Sequence, residues 1–273
     1  MSVRFRNFAT GLAAVAVLSM ASVSASAHRG WILPSVTNVS GTDMWVTVDA
    51  AVSNNLFNPD HVPMQLRALK VAAPDGSPVE PQNGHTGRYR TTLDVKLEKP
   101  GTYKIYSEGH SINASYKVGG ETKRLRGPVE RLKDIPADAT DVKVTEAISR
   151  NETFVSNGNL TKDVFKPTGK GLELDPVTHP NDLVAGEAAT FRFLLDGKPV
   201  SGLKIVAVPG GTRYRNQAVE ITAETNANGE ASITYPEPGM YWMEAETSDN
   251  KTSVPQAANR RAAYVMTVEV MPQ

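Results

Sequence analysis

The chain has 273 residues, 40% of them hydrophobic, with 29 basic and 29 acidic side chains and no cysteine. Charges of both signs are scattered along it, which excludes an electrostatic footprint for nucleic acid or anionic lipid. The lack of cysteine excludes disulfides and thiolate metal sites.

The first segment reads as an export signal. Arg4 and Arg6 precede an apolar run from Gly11 to Val23, and Ala25-Ser26-Ala27 supplies the small-residue cleavage site. The run is about a dozen residues, short of the ~20 a membrane helix needs, and no later segment approaches that length. The expected product is therefore periplasmic, cleaved after Ala27, with no direct membrane insertion. Arg4 and Arg6 are the only charged residues removed, so the mature chain stays close to neutral.

Cleavage makes His28 the first residue of the sequence His28-Arg29-Gly30-Trp31-Ile32-Leu33-Pro34. An N-terminal histidine offers one metal ion both its α-amino nitrogen and a ring nitrogen. Both groups titrate near neutrality, so neither resists binding strongly.

Beyond this point a period of two dominates. Trp45–Val48, Leu93–Leu97, Thr190–Leu194, Ile221–Ala223 and Tyr264–Val270 alternate apolar and polar residues in short runs. Turn signals separate them at Asp75-Gly76, Pro100-Gly101, Asp196-Gly197, Asn228-Gly229 and Pro238-Gly239. One short helix is expected, near Gly127–Lys133. The chain is predicted to be all-β.

Two passages repeat. Ala73-Pro74-Asp75-Gly76-Ser77-Pro78-Val79 matches Leu194-Leu195-Asp196-Gly197-Lys198-Pro199-Val200, and Lys99-Pro100-Gly101-Thr102-Tyr103 matches Glu237-Pro238-Gly239-Met240-Tyr241. This order predicts two immunoglobulin-like or transthyretin-like β-sandwich units in tandem. The expected divisions are a signal peptide over 1–27, a first unit over 28–118, a structured connection over 119–171 and a second unit over 172–273. The second unit has room for an extra hairpin closing at Asn228-Gly229.

The chemistry rests on histidine. Pairing the strand before Asp75-Gly76 with the chain after it places His61 and His85 at one end of a hairpin. Pairing Arg88–Leu97 with Thr102–Glu108 around Pro100-Gly101 brings His110 near His85. The expected metal ligands are His28, His61 and His85, with His110 in reserve, for a divalent ion such as nickel, cobalt, copper or zinc. Asp60 is expected to cap a turn, and His179 to be structural. No nucleophile elbow, zincin helix, P-loop or dinucleotide fingerprint is present, so no enzyme activity is expected.

The opening His28-x-x-Trp31-x-Leu33-Pro34 resembles that of an exported bacterial family of unknown function. So do Asp49-Ala50-x-x-Ser53-Asn54-x-Leu56-Phe57 with Asp60-His61, Leu172–Asp182, Ala185-Gly186-Glu187, Asp196–Pro199, Asn228-Gly229 and Pro238–Trp242. Its members are often described as periplasmic components of nickel or cobalt uptake systems, with an immunoglobulin-like C-terminal part. The resemblance implies periplasmic metal handling and a membrane transporter as partner. Two alternatives stand beside it. One is a metal-free interaction module that binds a protein or a surface glycan. The other is a copper oxidase acting on polysaccharide, since such enzymes also begin with a metal-bound histidine.

Overall fold

The structure is a computed structural model and describes residues 28–273. The expected signal segment lies outside the described residues. From the first described residues the chain forms β1 (Arg29–Pro34), β2 (Asn38–Val39), β3 (Met44–Ser53), β4 (Val62–Pro63), β5 (Lys70–Ala72), β6 (Pro78–Val79), β7 (Gln82–Thr86) and β8 (Thr91–Leu97). Then come the long β9 (Gly101–Val118), β10 (Glu121–Gly127) and the long β11 (Thr140–Asn157). The rest comprises β12 (Leu172–Pro176), β13 (Ala188–Leu195), β14 (Lys198–Pro199), β15 (Lys204–Pro209), β16 (Ile221–Glu224), β17 (Glu230–Thr234), β18 (Gly239–Asp249) and β19 (Asn259–Val270). The expected short helix is a 3-10 segment at Val129–Asp134. The fold is all-β, and no helix among the described residues is long and apolar enough to cross a membrane.

Three sheets build two sandwiches. A first sheet runs β1-β3-β8-β7, with β4 also on β3, and a small third sheet runs β12-β13-β14, with β17 on β13. Between them a ten-stranded sheet runs β16-β15-β18-β19-β11-β9-β5-β6, carrying β10 and β2 on its sides. One core holds Ile32, Val48, Leu93, Val95, Tyr103, Ile105 and Val155. The other holds Phe154, Phe191, Phe193, Tyr241, Met243, Tyr264 and Met266. Phe154 and Val155 are neighbours on β11, yet they enter different cores. A strand's side chains alternate between faces, so β11 gives one face to each sandwich.

The units therefore share a sheet. The stretch expected to connect them supplies β11, which pairs antiparallel with β9 and parallel with β19. A further cluster of Trp31, Ala51, Leu56, Val208 and Trp242 joins the units away from the shared strand.

The sequence repeats correspond to repeated structure. Asp75-Gly76 closes the β5–β6 pair and Asp196-Gly197 closes β13–β14. At the two Pro-Gly corners a tyrosine reaches back four residues. Tyr103 donates to the Lys99 carbonyl at 3.0 Å, and Tyr241 donates to the Glu237 carbonyl at 2.8 Å. Each ring is buried in its own unit's core, so one device fixes the entry of β9 and of β18.

Two expected pairings differ. Pro100-Gly101 does not close a hairpin: β8 belongs to the first sheet and β9 to the ten-stranded sheet. Asn228-Gly229 is likewise a corner between layers, since β16 pairs with β15 and β17 with β13. Alternation specifies which face is buried but not which strand lies alongside.

Candidate functional site

His28 and His61 meet at the end of β3. Arg29 of β1 is opposite Ser53, and Val62 of β4 is opposite Val52. The strands β1 and β4 flank β3 on opposite sides, so each leads a histidine to the same end. The two rings lie face to face, with centroids 3.8 Å apart and 14° between their planes. Both residues are exposed.

Several buried contacts hold this end in place. The Trp31 indole is 1% exposed and donates to the Ser53 hydroxyl at 2.7 Å, while that hydroxyl donates to the Asn55 carbonyl at 2.6 Å. Trp242 of β18 donates from its indole to the Gly30 carbonyl at 3.0 Å, and the Arg29 guanidinium lies over its ring. Arg29 also pairs with Glu220 at 3.3 Å. The register of β1, and with it the position of His28, is thus fixed from the second unit.

Asp60 organises the loop before His61. Its Oδ1 accepts the Asn54 backbone N–H at 2.8 Å and its Oδ2 accepts the Asn55 backbone N–H at 3.2 Å; both amide side chains add further bonds. Burial opposes its ionisation, but the hydrogen bonds from Asn54, Asn55 and Asn58 outweigh this and hold the carboxyl below its usual range. Both oxygens are engaged, and Asp60 acts as the expected turn cap. From the second unit, Thr212 Oγ1 accepts the Leu56 N–H at 2.9 Å. The loop around Thr212 carries Tyr214, 86% exposed, and Val219, 55% exposed.

The other histidines lie elsewhere. His85 on β7 is opposite Thr92 of β8, which is opposite Asp49 of β3. It is exposed, two strands out, and roughly 13 Å along the sheet from the level of His61 at ~3.3 Å per residue. The expected hairpin fails because β6 pairs in the ten-stranded sheet while β7 pairs in the first sheet, so the chain changes layer between Val79 and Gln82. His110 is on β9 opposite Ile148, with Nε2 2.7 Å from Glu146. Among the described residues no three His, Cys, Asp or Glu side chains gather to hold an ion. The side chains bring together two donors, His28 and His61.

His179 is 6% exposed. Its Nδ1 accepts the Asn181 N–H at 3.1 Å, which leaves Nε2 protonated to donate to the Thr161 carbonyl at 3.2 Å or to Thr102 at 3.1 Å. Burial lowers its pKa, with Lys162 adding to the effect against the bond to Thr161 and the charge of Asp182. It ties the start of the second unit to β9.

A family model described as a domain of unknown function, DUF4198, matches residues 25–249. The chain belongs to this family. The match spans both histidines of the pair and both tyrosine corners of this DUF4198 chain. The family's description carries no metal, so nickel and cobalt enter only as a proposal. No curated protein matches. Among solved structures, the D0-D1 domain of intimin is 13% identical, with 88% of this chain and 97% of that one covered, at a TM-score of 0.22. The human OSCAR ligand-binding domain is 13% identical, covering 88% and 99% at a TM-score of 0.20. The two tandem V-type regions of a v-region-containing chitin binding protein are 10% identical, covering 87% and 98%, also at 0.20.

Sequence reasoning missed a second arrangement. Glu146 is 0% exposed, accepts the Ser253 N–H at 2.7 Å and the Ser253 hydroxyl, and contacts His110. Burial opposes its ionisation, but Ser253 and His110 together hold it below its usual range. Its only sequence signal is a charged residue at an inward position of an alternating strand. The arrangement pins the 250–258 loop to β11.

Proposed function

We propose that the processed chain is a periplasmic metal-binding accessory protein that captures a divalent nickel, cobalt or copper ion and passes it to a membrane transporter. The observation that supports this reading is the pairing of His28 and His61. A metal–imidazole nitrogen bond is about 2 Å, so two nitrogens on one ion lie no more than roughly 4 Å apart. Rings stacked at 3.8 Å are within that reach after side-chain rotation.

Cleavage after Ala27 adds the α-amino group of His28 as a third nitrogen. Such a donor set suits nickel, cobalt and copper, with copper favoured by intrinsic affinity. Three donors from two exposed residues leave positions open for a recipient's ligands, which fits cargo transfer. No catalytic step is part of this reading.

Calorimetric titration of Ni(II), Co(II) and Cu(II) into chains that begin at His28 tests it. His61→Ala is expected to weaken binding at least tenfold, and His85→Ala to leave it unchanged. Equal affinity in wild type and His61→Ala contradicts the site. The metal-free interaction module draws support from the exposed Tyr214 and Val219, on a loop whose Thr212 bonds Leu56 and whose Glu220 pairs with Arg29. It predicts that partner capture survives loss of both histidines and fails in Tyr214→Ser.

A further inference from the structure

The strands β9, β10 and β11 extend together past the first sandwich. On one face Ala114, Leu125 and Val144 enter a small core with Ile112, Val254 and Ala257. Alternation sends their neighbours to the other face, where Asn113, Ser115, Arg124, Arg126, Lys143 and Thr145 line a cleft of about 440 Å³. The register sets them in two rows across three strands. Arg124 is opposite Ser115, which is opposite Lys143; Arg126 is opposite Asn113, which is opposite Thr145.

Among the described residues, Arg124, Arg126 and Lys143 make no ion pair, and all three are exposed. The nearby carboxylate of Asp141 is taken by Lys117 at 2.7 Å. The opposite face of β10 behaves differently, since Glu121 and Lys123 there neutralise each other at 2.6 Å. Charges on an edge strand such as β10 hinder unwanted strand pairing. Lys143 lies on β11 before its pairing with β19 begins at Thr145, so it too is near an edge. Edge protection does not, however, call for three cations gathered on one face with no ion pair among them.

We infer that this cleft binds an oligoanion carrying two or more phosphate groups. Strands lie about 4.8 Å apart and residues on one face repeat every ~6.7 Å. The three cations therefore form a triangle with sides of roughly 7–12 Å, wide enough to hold separate phosphates. Guanidinium forks match phosphate oxygens in pairs, and the lysine supplies a point charge. Ser115 and Asn113 place a hydroxyl and an amide between the charges. Scattered along the sequence, the charges left no footprint for an anionic surface. The strand register corrects this by gathering three cations on one face of a nearly neutral chain, so the attraction is local. A soluble polyphosphate and the headgroups of an anionic lipid surface share this chemistry.

The test uses the chain from His28 to Gln273 in metal-free buffer at about 50 mM salt. Tripolyphosphate is titrated by calorimetry, and cosedimentation is measured with phosphatidylglycerol/phosphatidylcholine vesicles and with phosphatidylcholine alone. Binding of at least one anionic probe is expected, weakened tenfold or more in Arg124→Gln/Arg126→Gln/Lys143→Gln. The probe that binds identifies the source. A control of equal charge change, Lys198→Gln/Lys204→Gln/Lys251→Gln, is expected to bind as wild type. Unchanged thermal unfolding of both variants confirms that they fold. No binding of either anionic probe, equal binding by the cleft variant, or equal loss in the control overturns the inference.

Discussion

The Trp31 indole donates to the Ser53 hydroxyl in a buried bond of 2.7 Å, and Ser53 passes a bond of 2.6 Å to the Asn55 carbonyl. This relay links the strand that carries His28 to the loop that leads to His61. Ser53→Ala leaves the indole N–H without its partner and frees the loop. The expected cost is about 1–3 kcal/mol, the usual penalty for an unsatisfied buried donor. Urea unfolding of wild type and variant measures it, and an unchanged midpoint with an unchanged slope rules the relay out as a stabilising element.

His179 makes stability depend on pH. Burial holds its folded pKa below the ordinary value near 6.5. The unfolded chain therefore binds a proton that the folded chain resists, and stability falls as pH drops below that value. Above it the contribution is fully present. Glu146 acts in the same direction at lower pH. Its folded pKa is depressed, so its contribution is present above the ordinary glutamate range and lost as pH falls through the folded value. Urea unfolding between pH 7.5 and 5.5 is expected to show a shallower pH slope in His179→Gln than in wild type. Parallel slopes contradict the assignment to His179.

Much of the fold was legible because its punctuation is chemical. The two Asp-Gly hairpins and the two Pro-Gly-x-Tyr corners appear in sequence as repeats and in structure as the same turns. The central place of the shared strand was hidden. Arg150–Asn157 is buried throughout although Arg150, Asn151, Glu152, Thr153, Ser156 and Asn157 are polar, so no apolar run marked it as central. His28 and His61 stood in the expected ligand set for their residue type and for the place of His28 after the cleavage site, but nothing in the sequence indicated their meeting across the end of β3. The grouping with His85 assumed that sequential strands pair, and the layer change between Val79 and Gln82 breaks that assumption.

The polar burial of β11 has a measurable consequence. Arg150, 8% exposed in its side chain, meets Glu108 at 2.8 Å and Glu173 at 3.4 Å, while Tyr264 donates to Glu152 at 2.8 Å. Arg150→Met strands carboxylates in a buried setting, with an expected cost of roughly 3–5 kcal/mol. Adding Glu173→Gln is expected to recover part of it, because the two residues are coupled. Additive losses in the double variant sink this account of the cluster.

Two glycines separate strain from clash. Both have positive φ, at 81° for Gly76 and 74° for Gly229. A Cβ on Gly76 meets nothing within 4 Å, whereas one on Gly229 falls 2.6 Å from the Phe193 carbonyl oxygen. Gly76→Ala is expected to cost about 1–2 kcal/mol from the left-handed backbone alone. Gly229→Ala adds displacement of β13 and is expected to cost on the order of 3 kcal/mol. Equal melting temperatures for the two variants contradict the corner's tight fit.

The central claim is that processing completes a metal site at His28 and His61. Its most direct measurement is calorimetric titration of Cu(II) and Ni(II) into two purified chains, one beginning at His28 and one carrying an extra Met before it. The extra residue converts the amine to an amide and leaves both imidazoles in place. Submicromolar binding to the first chain, weakened at least a hundredfold in the second, is the predicted result. Equal binding by both chains, or binding by neither, contradicts it.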